Sequence, residues 1–524
     1  MYRYFFIFIY LIFSQGLDYN SDSYDRLFNE INSIENMEIS SNLFIYPGIQ
    51  KKEDVFYNLI NSNKFKVYPV MAIRYSGSGF EMSEDNSIQT LWVSPGVDIR
   101  FNQLLIKSFN PIWINASFKF YKHSAYGINK DLNLGNTFSN NTEPFALFNP
   151  EFSYGYYKSV QSSNRNGIDF DESIGGISLL GNNFDITFGK FRSSLGPSIY
   201  SNLSLSDNIP AFNQLRTHFN FLDKIFFTFI VGDLFSGIEN DSLDEYYDDF
   251  RNAILNRRIY NHRLDFKVNK NFRLGFYEQI IGLSNSSFSY INPFQLYWSE
   301  QHQQGDVDNL QMGFDFDFIK GKNRFYGALL IDEWAPYETF AGDENNDGID
   351  DSRNWFATQI GYSRLFNLNA GYKNSSGKKW KRNFKGLLKL EYSSAEPQVY
   401  IHKFEVNNSY HHGYPVGLWS GGNSIDKRAS FILFVNNFED NINRFIIDIG
   451  YQSTRIGSPI YEQGISLLSS DNIKSRDLLY LKIQKPIYFN IDFNFKVGYY
   501  KTENLYSEDD FLDISTSLIY NIQK

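Results

Sequence analysis

Apolar and polar residues alternate through much of the chain. Ile491, Phe493, Phe495, Val497 and Tyr499 alternate with Asp492, Asn494, Lys496, Gly498 and Tyr500. Met312, Phe314, Phe316 and Phe318 alternate with Gln311, Gly313, Asp315 and Asp317, and Phe445, Ile447, Ile449 and Tyr451 with Asp448, Gly450 and Gln452. Leu215, Phe219 and Phe221 stand against Arg216, His218 and Asn220, and Ala116, Phe118 and Phe120 against Ser117, Lys119 and Tyr121. A period of two sends successive side chains to opposite faces of a strand. One face here is lipid-like, while the other carries charges, amides and glycines. The pattern predicts an all-β fold: a transmembrane antiparallel β-barrel with an apolar exterior and a polar lumen. Lipid offers the backbone no hydrogen-bond partner, so such strands must pair all the way round. Residues 66–523 hold roughly 18 strands, enough to enclose a lumen of channel width. A large soluble sandwich or propeller also alternates. Segments of about 10 residues suit a tilted barrel strand better. So does the loop pattern: Val268-Asn269-Lys270-Asn271 and Lys320-Gly321-Lys322-Asn323 are tight, whereas 236–256 and 337–353 are long and acidic.

The chain begins differently. In 20–37, Tyr24, Leu27, Phe28, Ile31 and Ile34 recur at helical spacing behind Ser21 and Asp22, which could cap a helix. Val55, Phe56, Leu59 and Ile60 form a second short pattern, with a turn at Tyr46-Pro47-Gly48 between the two. Residues 17–65 therefore read as a small helical periplasmic region ahead of a barrel at 66–524. Residues 1–16 read as a signal peptide. Arg3 supplies a basic start, Phe5 to Phe13 form an apolar run too short to span a bilayer, and Ser14, Gln15 and Gly16 suit cleavage. The expected location is the bacterial outer membrane.

Composition narrows the classes. The 524 residues contain no cysteine, which rules out disulfides, cysteine-ligated metals and a thiol nucleophile. Aromatic residues make up 18%. The mean hydropathy of -0.39 is too polar for a bundle of membrane helices. A net charge of -10 argues against a nucleic-acid binder, which would present a basic face. No GxSxG, HExxH or P-loop occurs, which leaves a barrel enzyme acting on lipid or glycan, with Ser, His and Asn brought together from distant strands, as a third reading.

One run carries a resemblance. Phe188-Gly189-Lys190, Leu195-Gly196-Pro197 and Leu203 to Pro210, with Asn208 before it, follow one another in order. After them come His262-Arg263-Leu264, Glu278, Asn292-Pro293-Phe294, Asp308-Asn309 and Asp332-Glu333. In order and spacing this resembles the capsule assembly Wzi family. That family has a Gly-basic strand end, an aromatic-Gly-Pro-Gly turn, a Leu-Ser-Asn segment and a following Pro. Leu195 and Ser198 depart from it, and the chain ends in Gln523-Lys524 without the terminal Phe common in outer-membrane barrels. The resemblance implies an outer-membrane barrel with a periplasmic helical part and a lectin-like, non-catalytic role. The expected partners are capsular or other surface polysaccharide, outer-membrane lipid and components of the export machinery. The rival function is a passive-diffusion channel of porin type.

Sugar recognition needs ring faces for C–H surfaces and polar groups for hydroxyls. Trp298, Trp334, Trp355, Tyr410, Tyr414 and Trp419 in expected loops are candidates, although girdle aromatics at the membrane interfaces give the same signal. Trp92 and Trp113, in strand-like segments, read as girdle. Arg216, His218, Arg263, Asp265 and Lys267 fall on the lumen phase, where they could grip sugar or pair with one another. Glu278 falls on the lipid phase, a costly place for a carboxylate, which predicts a bulge or strand end there. Gly196-Pro197 could turn the chain inward to constrict the lumen. Asp343, Asn345, Asp347, Ile349 and Asp351 have the spacing of a calcium loop, with Gly348 at the sixth position and Asn354 where the bidentate Glu should be. A solvated acidic loop reads the same way. His411-His412 looks exposed, and neighbours on a strand point apart, which disfavours a shared metal.

Overall fold

The computed structural model describes residues 19–46, 65–80, 88–107, 111–127, 167–240, 254–284, 288–332, 336–338, 341–343, 346, 351–353, 355–373, 379–435, 445–462, 465–469, 473–487, 491–503 and 508–520. The expected signal peptide, the second helical pattern at 55–60, Trp334, Asn345, Asp347 and Ile349 lie outside the described residues.

Eighteen strands form one closed barrel. In chain order they are β1 Phe65–Phe80, β2 Ile88–Ile106, β3 Ile112–Gly127, β4 Gly167–Leu180, β5 Phe184–Phe191 and β6 Phe212–Phe221. They continue as β7 Ile225–Glu239, β8 Ile254–Asn269, β9 Phe272–Leu283, β10 Asn309–Lys320, β11 Asn323–Asp332 and β12 Phe356–Lys373. The last six are β13 Lys379–Ala395, β14 Ser424–Val435, β15 Phe445–Ile456, β16 Lys474–Ile487, β17 Ile491–Glu503 and β18 Glu508–Tyr520. Every neighbouring pair is antiparallel, and β1 closes the ring by pairing with both β2 and β18. Among the described residues two α-helices accompany them, α1 Tyr19–Asn36 and α2 Tyr297–Gln303.

The register assigns the two faces. Asp448, Gln452 and Thr454 on β15 are buried, whereas Ile449 and Tyr451 between them are about half exposed. The same inversion runs round the wall, with Phe188, Phe276, Phe314, Ile360 and Leu479 on the outside and Asp98, His123, Asp265, Asp317 and Gln359 inside. Phe493, Phe495 and Val497 share the outer face with their partners Leu518 and Ile514. Only a hydrocarbon exterior and a polar axis explain buried charges beside exposed rings. Trp92 and Trp113 correct the girdle reading. Trp92 is paired with Arg74 and is 2% exposed inside the barrel, and Trp113, opposite Leu180, shares that phase.

Short and long connections alternate. At one end β6–β7, β8–β9 and β10–β11 are joined by tight turns, and Leu222 and Asp223 both adopt positive φ as a hairpin turn of this hand requires. Short turns mark the periplasmic end of an outer-membrane barrel.

α1 lies inside the barrel at that short-turn end. Leu27, Ile31 and Ile34, at helical spacing, pack against Leu365, Leu387, Ile432, Phe434 and Ile446 of the wall. Ser21 and Asp22 fall inside the helix instead of capping it, since it extends back at least to Tyr19. Its C-terminus closes in a Schellman arrangement. Met37 has φ 51, its N–H donates to Ile34 O, and Glu38 N–H donates to Ser33 O. Ile39 N–H then donates to Lys270 O in the β8–β9 turn (2.8 Å), and Ile45–Tyr46 pairs with Ser194–Leu195.

Candidate functional site: a filled lumen and its external mouth

Three segments stack within the lumen. The deepest is 19–46, the middle one is the 192–211 connection after β5, and the third is the 396–423 connection after β13. Gly196 does turn the chain inward. Its φ is +136, and a Cβ there would sit 2.4 Å from Asn202 Oδ1. That same oxygen accepts from Ser198 N–H (2.9 Å), so the loop's shape depends on the missing side chain. Pro197 O accepts from Arg324 (2.6 Å), and Gly196 N–H donates to Phe44 O (2.9 Å). Asn208 bridges Tyr200 O and Ser206 Oγ, and Pro210 is buried at the loop's end. Gly189 packs against Gly175 and Gly176 with no room for a Cβ, and Lys190 pairs with Asn213 and Gly175 near the end of β5. Upward, Ser206 N–H donates to Val416 O (2.8 Å) and Tyr400 Oη donates to Leu203 O (2.7 Å), locking the middle segment to the third.

Charged groups hold α1 in place. Glu30 is fully buried and accepts from Arg324 Nη1 (2.9 Å), Lys389 Nζ (2.5 Å) and Ser363 Oγ (2.6 Å). Burial pushes the Glu30 carboxyl up, but Lys389 and Arg324 outweigh it and hold it down at about 2. Arg26 pairs with Asp207 (3.0 Å) and also donates to Ser198 O, tying the helix to the middle segment. Beside them Arg263 forks onto Asp265 and Asp315, Arg273 bridges the same two carboxylates, and the Phe44 ring covers Arg273 at 4.1 Å. Two cations thus face two carboxylates, leaving little charge for a ligand. Arg216, inside the wall, faces Asp185 at 3.4 Å and lies over the Phe191 ring.

The long-loop end presents rings. Trp355 packs edge-on against Tyr461 (5.1 Å), Tyr461 meets His402 (6.2 Å), and His402 meets Phe404 (5.4 Å). Arg353 lies over Trp355 and Lys403 over Phe404. Trp355 is buried, whereas Phe404 is 45% exposed. Trp419 sits nearby at the mouth, donating Nε1–H to Asp426 (3.3 Å) with Arg476 over its ring at 5.0 Å. Tyr410 packs in one cluster with Trp355 and Tyr461, and Tyr414 packs half-buried beside Val416. Three of the expected aromatics, Trp355, Tyr410 and Trp419, therefore gather at the mouth. Trp298 does not, because α2 lies on the outer wall. Sequence reasoning missed His402, Phe404, Lys403 and Tyr461. They sit on two separate loops, and no periodic signal links them.

Two expectations change. His411 is 3% exposed, with Nδ1 accepting from Phe235 N–H (3.0 Å), and His412 stacks on Phe235 at 4.2 Å. Burial, with Lys190 and Arg257 nearby, pulls both imidazoles down, His412 to about 4, so the pair is neutral and interior. Glu278 sits in unbroken register opposite His262 and Met312, with neither a bulge nor a strand end. A loop packed on the outer wall supplies what a bulge would have done. In the acidic loop only Asp343 and Asp351 of the ligand set are described; Asp351 N–H donates to Gly342 O (2.9 Å). No group of three potential metal ligands occurs among the described residues.

No family model matches the chain, and no curated protein sequence matches it. Solved structures do. Wzi, an Escherichia coli outer-membrane protein involved in group 1 capsule assembly and a carbohydrate-binding β-barrel, superposes with a TM-score of 0.52 at 13% identity. The match covers 97% of this chain and 99% of that one. OccAB4 of Acinetobacter baumannii gives a TM-score of 0.44 at 8% identity, over 87% of this chain and 98% of that one. OccK7 of Pseudomonas aeruginosa gives 0.43 at 7% identity over 87% and 98%. At such identities the likeness establishes a fold: this chain has the fold of an outer-membrane β-barrel.

Proposed function

We propose that this barrel binds surface polysaccharide at its external mouth and holds it there without catalysis. The observation that carries the reading is the filled lumen, whose three stacked segments end in a ring-lined mouth at the long-loop end. Stacked plugs oppose free diffusion, and they give a flat glycan a floor to rest on. Exposed Phe404 offers a face for sugar C–H groups, while Arg353 and Lys403, each paired with a carboxylate (Glu338 at 2.7 Å and Asp306 at 3.7 Å), offer N–H donors to sugar hydroxyls. The fold likeness to a carbohydrate-binding barrel supports the same reading.

The test is glycan binding by the purified, reconstituted protein. Wild type should retain capsular-type polysaccharide, and Phe404→Ala and Tyr461→Ala should weaken retention severalfold while the barrel stays folded. Equal binding by wild type and both variants would reject this mouth as the site. Planar-bilayer recording separates the channel reading: steady conductance comparable to an open barrel of this width would favour diffusion instead.

A further inference from the structure

The connection between β9 and β10 does not stand on the mouth. It folds down the outside of the wall. Tyr290 and Tyr297 are fully buried against Tyr260, Ile280 and Leu310, which all belong to the outward phase of their strands. The Tyr297 ring stacks on His262 at 4.2 Å, and His262 Nε2 lies 2.8 Å from Glu278 Oε2. Tyr297 N–H donates to the same carboxylate oxygen (3.0 Å). Below them Phe294 stacks on Phe227 of β7 at 5.8 Å, with the rings 9° from parallel.

Depth follows from the register. Asp233 and Arg258 form an exposed ion pair on the outer face (2.9 Å), which marks the polar boundary of this part of the wall. Phe227 lies six residues further down the same strand. A strand rising about 3.3 Å per residue at a tilt of about 40° descends roughly 15 Å over that stretch. That is more than halfway through an apolar belt of about 25 Å.

The outer surface of the flap is mainly apolar over 291–296, where Asn292 is the exposed polar residue. Phe294 is 86% exposed, Leu296 64% and Ile291 37%, and they continue the belt formed by Phe276 (49%) and Phe314 (44%). Its backbone is arranged for a dry setting. Asn292 N–H donates to Ser289 O, Phe294 N–H to Asn292 Oδ1 and Gln295 N–H to Asn292 O. Pro293 has no N–H to satisfy, and Tyr297 N–H goes to Glu278. Irregular backbone is tolerated at membrane depth only when its polar groups find protein partners.

We infer that residues 288–303 form a flap that enters the hydrocarbon layer from its outer side and reaches past the midplane, with Ile291, Phe294 and Leu296 in contact with lipid acyl chains and Glu278 as its anchor on the barrel wall. The flap roofs the Glu278–His262 pair, which bare strands would leave in hydrocarbon. The occupant of this face is lipid, because the apolar surface is continuous with the belt and meets no other segment of the chain among the described residues.

The natural absence of cysteine permits single-site labelling. Phe294→Cys and, separately, Leu296→Cys would carry a nitroxide in protein reconstituted into phospholipid vesicles, with Tyr337→Cys, 98% exposed on a mouth loop, as the aqueous reference. The expected result is that dissolved oxygen relaxes labels 294 and 296 severalfold more than an aqueous nickel chelate does, with the reverse at 337. Adding Glu278→Ala should raise nickel access at 294 severalfold. Nickel access at 294 and 296 equal to that at 337 would overturn the inference, as would shielding of both labels from both reagents, the signature of a protein cover.

Discussion

Replacing Glu30 with Gln keeps the volume of the side chain and removes its charge. The carboxylate lies between Arg324 and Lys389 at a place with no access to water. Taking one partner from a buried ion pair costs about 3–5 kcal/mol, because the surviving charge stays desolvated. Arg324 keeps Asp317 at 2.6 Å, so the lower end applies, about 3 kcal/mol. The apolar face offsets part of the loss. Three buried side chains, Leu27, Ile31 and Ile34, contribute roughly 2 kcal/mol each, or roughly 6 kcal/mol together as an upper estimate. The helix should therefore stay docked but open about 100-fold more often, since each 1.4 kcal/mol is a factor of about ten. Hydrogen exchange read by mass spectrometry on vesicle-reconstituted protein measures this opening directly. Amides of 27–35 should lose about 100-fold of their protection, while amides of β8 and β9 keep theirs. Unchanged protection in α1 would refute the idea that charge latches it.

Other outcomes follow from the same geometry. Because Glu30 is held down at about 2, its contribution is complete above the ordinary carboxylate range near 4.5 and is lost as pH falls toward 2. Exchange protection of α1 should accordingly be flat from pH 7 to about 5 and drop below about 4, and a drop already at pH 6 would contradict the assignment. Gly196→Ala places a methyl group against Asn202 at positive φ and should destabilise the protein by about 1–3 kcal/mol, read as a lowered unfolding temperature; an unchanged temperature would show the loop can refit. The 343–351 loop lacks a carboxylate at its twelfth position, so any calcium bound there should be weak, about 10⁻⁴–10⁻³ M by calorimetry, and abolished by Asp343→Asn. Micromolar affinity would overturn that estimate.

The barrel was legible because two solvents impose one rule on every strand. Phe493, Asn494 and Phe495 announce their faces without reference to anything distant. The tight turns at 270–271 and 321–322 were legible for the same local reason. The seat of α1 was not. Arg26 meets Asp207 across 181 residues, and Glu30 meets Arg324 and Lys389 across 294 and 359, so no window of sequence contains the pairs. Trp92 misled because Leu91, Trp92 and Val93 are apolar on both phases, which erases the alternation that would have turned it inward. Glu278 misled in another way. Its phase was read correctly, but the cover that makes it tolerable comes from a loop whose aromatic residues looked like ligand contacts. At the mouth, Trp355 and Trp419 could be named because tryptophan is rare in this chain, whereas His402, Phe404 and Tyr461 are distinguished only by meeting.

The helix that corks this barrel precedes its first strand, yet its described partners come from β10 to β15 and from the 192–211 connection. Neither β1 nor β18, the two edges of the seam, supplies a contact to it among those partners. A curved sheet still unzipped at that seam would already offer the cork these partners. On those contacts alone, seating the helix does not require the cylinder to be sealed.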